Sequence, residues 1–152
     1  MPGIPRSLTW AALAAPVFFL LAAGDLALRS REALAEARRQ EAWRDNPALK
    51  TAYFEADLRK KELALAREAE KGGVTAENAA RSAALLAAEK DFRISESSAK
   101  LAYAWYKTAA SEFSSPLNPW AARAKARLPS ALAAWRAELA AKNIKAETWM
   151  TE

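Results

Sequence analysis

Hydrophobic positions along this chain repeat at helical spacing almost from end to end. Residues 8–24, "LTWAALAAPVFFLLAAG", carry no charge. From "DLALRSREALAEARRQEAW" onward, apolar and charged positions alternate with the three-to-four step of a helix that buries one face. Asp45-Asn46-Pro47 interrupts that pattern: Asn46 suits an N-cap and Pro47 the first helical position. A second helix is predicted from Pro47 to about Lys71, with Glu55/Arg59 and Asp57/Lys61 on its wet side. Gly72-Gly73 ends it, and Thr75 caps a third helix with Glu77 in its first turn. That helix is predicted to run unbroken to about Ser114. Its seam takes a seven-residue step through Leu85, Phe92, Ala99, Tyr106 and Phe113, with Ala88, Ser95, Ala102 and Ala109 three places on. Folding back at Gly73 brings Phe92 near Phe54 and Leu85 near Leu63, and returns the second arm beside Leu34. Asn118-Pro119 repeats the earlier capping device and opens a last helix, kinked at Pro129 and ending near Lys142.

The pattern therefore predicts an all-α fold: an N-terminal transmembrane helix, a long antiparallel coiled-coil-like hairpin and a short C-terminal helical unit. The segments are residues 1–28 as anchor or signal, 29–114 as hairpin with its turn at 72–75, 115–142 as kinked basic helices and 143–152 as tail. Composition agrees: the chain holds 40 alanines, four glycines and almost no valine or isoleucine. Alanine is the strongest helix former and buries little area, so closely packed helices suit it better than a thick core.

The uncharged opening run is 17 residues, ~26 Å as helix against a hydrocarbon core of ~30 Å. With residues 25–28 added and Trp10 at the far interface, it is predicted to be a retained single-pass anchor. A second reading is a cleaved signal, with Arg6 before the run and Ala22-Ala23-Gly24 offering a peptidase site; a third is a buried core helix. Arg29, Arg31, Arg38 and Arg39 after the run point to a cytoplasmic body if counted literally. Arg6 ahead of it suits a signal-anchor, and the expectation adopted is a bacterial inner-membrane protein with a periplasmic body.

Charge totals +5, unevenly spread. Residues 117–145 hold six cations (Arg123, Lys125, Arg127, Arg136, Lys142, Lys145) against Glu138 alone. Arg123, Lys125 and Arg127, with Trp120 and Trp135, are the candidate basic, aromatic surface. Three alternate charges spread over about 200° of helix and form no single stripe, so nucleic acid is not an expected partner. Together with Trp10, Arg123, Lys125 and Arg127 are expected at a membrane interface.

Cysteine and histidine are absent, which removes disulfides, thiolate nucleophiles, imidazole bases and the usual zinc sites. Glu89, Asp91 and Glu96 sit beside Lys90 and Arg93 and read as a solvated face. No glycine-rich phosphate loop is present. No catalytic, cofactor-binding or metal residue and no small-molecule substrate is expected. The contact residues anticipated are Trp43, Tyr53, Trp105, Trp120 and Trp135, too large for a thin hairpin to bury all of them.

Residues 106–128, "YKTAASEFSSPLNPWAARAKARL", resemble the inter-repeat junction of tetratricopeptide-like scaffold proteins of the bacterial envelope. The resemblance rests on Tyr106, Ala109 and Phe113, then Ser-Pro, then Ala121, Ala124 and Leu128. It implies a helix pair drawn close by small residues, on a protein-binding scaffold without catalysis. No 34-residue repeat accompanies it. The function expected is a non-enzymatic, membrane-anchored adaptor subunit spacing protein partners, possibly further copies of itself, in an envelope complex; the alternative is a secreted helical binding module lacking residues 1–24.

Overall fold

The computed structural model describes the backbone of residues 6–115 and 118–145, and side chains from residue 14 onward, except 116–117 and 146–152. Five helices account for nearly all of it, with no strand among the described residues: α1 (Arg6–Asp45), α2 (Pro47–Glu70), α3 (Ala76–Ser95), α4 (Ser98–Ser111) and α5 (Pro119–Ala141). The chain divides into two compact units. One comprises Met1–Arg39 and Ala99–Glu152; the other is Gln40–Ser98.

The first unit holds the core. Ala33, Leu34 and Ala37 of α1, Ala99, Tyr103, Tyr106 and Ala109 of α4, and Ala124, Ala131, Trp135 and Leu139 of α5 form one buried cluster. The second arm thus does return beside Leu34. Small residues set the spacing. With alanine at most contacts the backbones approach closely, and the buried Ser30 hydroxyl donates across the interface to the Ala109 carbonyl at 3.1 Å. Tyr106 fills the space that the alanines leave, and Tyr103 stacks on Trp135 with ring centroids 5.4 Å apart.

The second unit is the α2–α3 hairpin. Its turn closes as the end of a helix in which Gly72 adopts φ 74°: the Gly72 N–H reaches the Ala69 carbonyl and the Gly73 N–H the Glu68 carbonyl. Glycine takes that backbone without strain. The Thr75 hydroxyl then accepts from the Asn78 N–H at 3.3 Å, capping α3. Phe54, Asp57, Leu58 and Lys61 share a cleft with Leu86, Glu89, Lys90 and Arg93, which is the antiparallel register that the turn predicts.

Three expectations are corrected. First, no helix among the described residues is long and apolar enough to cross a membrane. Asp25, Arg29 and Arg31 enter α1 within eighteen residues of Ala14. The single-pass inner-membrane placement, with its periplasmic body and lipid partner, is therefore not supported. Second, the long arm is not one helix but two, broken at Glu96-Ser97. The Ser95 hydroxyl donates to the Phe92 carbonyl at 2.7 Å, and Glu96 turns extended with ψ 140°. Third, the seven-residue seam does not face one way. Ala99 and Tyr106 are buried, but Leu85 and Phe92 lie before the break and are 66% and 62% exposed. Pro129, by contrast, sits inside α5 without ending it.

Candidate protein-interaction surfaces

The anticipated aromatic contacts separate into two groups. Trp43 and Trp135 are buried, at 7% and 4% exposure. Trp135 belongs to the first unit's core. Trp43 packs in the second unit against Tyr53 and Phe54, centroids 5.1 and 5.4 Å away. Trp43 and Trp135 are thereby spent within the chain. Tyr53 and Trp105 keep 49% and 38% of their surface open. Trp120 is half-buried beneath two guanidiniums, with Arg123 4.7 Å and Arg31 5.9 Å from its ring centre. Arg123, Lys125 and Arg127 are all exposed, on flanks left by the buried row Ala121, Ala124, Ala131, Trp135 and Leu139. The side chain of Trp10 lies outside the described residues.

Three surfaces went unanticipated. On α1, Val17, Phe18, Phe19, Leu20 and Leu21 stand 56–73% exposed, just before the helix enters the core at Ser30. One helical face further along is an open groove, lined by Arg29, Glu32, Ala33 and Glu36 with Trp105 and Phe113 as its aromatic walls. On the hairpin, Leu49 and Leu63 of α2 and Leu85 and Phe92 of α3 face solvent at 51–66% exposure. Adding one more step to the apolar spacing would have shown these stripes, since Leu49, Ala56 and Leu63 recur every seven residues, as do Leu85 and Phe92.

The hairpin's inward side mixes half-buried Phe54, Leu58, Leu65 and Leu86 with charged residues. Lys50 is its buried residue on α2, and its ammonium donates to the Glu96 carbonyl at 2.6 Å, satisfying an oxygen freed by the helix break. The acidic cluster is a solvated ionic face: Glu89 approaches Lys61 and Arg93 at 3.9 and 3.8 Å, Asp91 pairs with Lys90, and Glu96 with Arg93. No group of three or more possible metal-holding side chains occurs among the described residues. Two titrations are displaced. The Arg44 guanidinium, hydrogen-bonded to Asp45, lowers that carboxyl below its ordinary value, and the Asp57 carboxylate, hydrogen-bonded to Lys61, raises that ammonium. Both are ionic contacts at the surface.

No protein-family model, curated protein or solved structure matches the chain.

Proposed function

We propose that this chain is a non-enzymatic helical adaptor that holds protein partners by laying helices side by side. One observation carries the reading: the hairpin leaves an apolar row in water, with Leu63, Leu85 and Phe92 each at least 60% exposed. Heptad-spaced apolar stripes of this kind are what a partner helix packs against. The α4–α5 pair supports the same reading. Tyr106, Ala109 and Ala124 share one core there, the close helix pair that a tetratricopeptide-like scaffold junction implies.

The test is a paired purification from native cells of the wild-type chain and of the L85K/F92K variant. Both substitutions are at exposed positions, so helicity by circular dichroism and thermal midpoint stay the same. A protein that co-purifies stoichiometrically with the wild type and is lost from the variant supports the proposal. The same partners from both chains, or none from either, overturns it.

A further inference from the structure

We infer that the first unit self-associates: two copies pack antiparallel along α1, and Phe18 of each enters the Trp105–Phe113 groove of the other. This goes beyond the hairpin reading and uses different helices. Phe18, Ala22, Asp25, Arg29, Glu32 and Glu36 follow one another in alternating steps of four and three residues. They therefore share one face of α1 over about 27 Å of helix. At one end of that face an aromatic ring stands 66% exposed. At the other end is an open groove floored by Ala33 and walled by Trp105 and Phe113. A ring and a socket on one helical face, each without an occupant from the rest of the unit, are what a two-fold axis brings together, because it satisfies both ends at once.

Charge selects the second copy and fixes its direction. Midway between ring and socket lie Asp25 and Arg29, paired with each other at 2.8 Å and both 59% exposed. Two α1 helices running antiparallel, with Phe18 beside the second copy's Glu36, set Asp25 against the second copy's Arg29 and Arg29 against its Asp25. The four charges then alternate in sign. A parallel pair would set Asp25 against Asp25 and Arg29 against Arg29, which is repulsive. Ala22 falls opposite the second copy's Glu32, and this small residue lets the backbones approach. Leu21, three residues on from Phe18 and 70% exposed, adds apolar area on the same side of α1 that an isolated copy leaves in water.

The chain has no cysteine, so engineered thiols report cleanly. In the full-length F18C/E36C variant the two sites are about 27 Å apart on one helix, too far for a bridge within a chain, since a disulfide needs Cα atoms within about 7 Å. Mild oxidation is expected to give a covalent dimer from F18C/E36C and none from F18C or E36C alone. Sedimentation equilibrium is expected to show a wild-type dimer, about tenfold weakening in D25R, and recovery in D25R/R29D. Several results overturn the inference: a monomeric wild type, whether free, bound to phosphatidylcholine vesicles or held by another protein; a covalent dimer from F18C alone, which marks parallel pairing; or a native chain that begins after Gly24. Equal circular dichroism across the variants excludes misfolding as the cause of a lost dimer.

Discussion

The two units are built from the same alanine-rich helical alphabet and hold themselves together by different means. In the first, eleven buried side chains from three helices converge on one cluster with Tyr106 wholly enclosed. In the second, α3 buries no residue and α2 buries Lys50. One unit is stabilised by removing apolar area from water. The other relies on a glycine turn, helix caps, an aromatic group around Trp43 and a lysine clip, while Leu49, Leu63, Leu85 and Phe92 face outward and Leu58, Leu65 and Leu86 are half-buried. Alanine explains the contrast. Where three helices meet, alanines bring the backbones close enough for one large ring to complete the packing. Where only two helices meet, each alanine buries too little for the pair to form a core of its own.

The contrast is broken most severely at Tyr106. Tyr106→Ala deletes a wholly buried ring and is expected to destabilise the first unit by about 3–5 kcal/mol in urea denaturation. Phe92→Ala removes a ring of similar size that is 62% exposed, and is expected to change stability by no more than about 0.5 kcal/mol. Equal costs at the two positions would erase the distinction between the units.

Lys50 gives the next largest effect. In Lys50→Met the hydrophobic stem remains, but the Glu96 carbonyl loses the ammonium at 2.6 Å. The cost is expected at about 1–3 kcal/mol. Amide hydrogen exchange locates it: protection falls in the last turn of α3 and the facing start of α2, and holds around Tyr106. A uniform loss over both units would mean that the lysine supports more than the hairpin.

How much of this architecture is legible in the sequence depends on the range of the interaction. Turn and cap chemistry is local, so Gly72-Gly73, Thr75 and the two Asn-Pro starts mark helix ends within a residue or two. Ala99 and Tyr106 sit on the buried face because seven-residue spacing encodes it. The break at Glu96-Ser97 escaped notice because neither glycine nor proline marks it. It depends on a serine hydroxyl competing for a carbonyl and on a lysine 46 positions earlier that accommodates the interruption. Once the helix breaks, a seam counted straight through it changes face, which leaves Leu85 and Phe92 outward while Ala99 and Tyr106 stay inward. Tryptophan exposure was equally hidden: Trp43 and Trp135 are covered by rings on other helices, Tyr53 and Phe54 in one case and Tyr103 in the other. The uncharged run of residues 8–24 reads as a membrane span with the charges after it placed at the interface, but Asp25, Arg29 and Arg31 continue the same helix and leave no described stretch long and apolar enough to cross.

The two Asn-Pro starts sharpen the comparison further down the scale. Asn118 is 5% exposed; its carboxamide oxygen accepts from Trp120 and Ala121 N–H groups at 3.0 and 3.3 Å, and its NH2 donates to the Phe113 carbonyl at 2.9 Å. Asn46 is exposed and makes no capping hydrogen bond with its side chain. Asn118→Ala is expected to cost about 1–2 kcal/mol and Asn46→Ala only a few tenths, measured as separate shifts in the thermal midpoint. One dipeptide thus serves as a three-bond anchor in the first unit and as a simple stop in the second.

The smallest effects belong to the hairpin's surface charges, and their pH dependence follows from the direction of each shift. Asp45 carries a carboxyl lowered from 3.8 by its hydrogen bond to Arg44. Whatever stability it contributes is present above pH 3.8 and is lost as pH falls through the lower folded value. Lys61 is raised above 10.5 by Asp57. Its contribution is complete below pH 10.5 and disappears as pH rises through the higher folded value. Between those windows both pairs are fully charged and the hairpin's stability should be flat with pH. Both groups are solvent-exposed, so 1 M salt, with a Debye length of about 3 Å, should return the two titrations to their ordinary positions. NMR titration of the Asp45 carboxyl carbon and the Lys61 ε-carbon at low and high salt measures this directly. A displacement that survives high salt would place these charges in a less watery setting than a hairpin surface provides, and would mean that a partner or a second copy covers the second unit in solution.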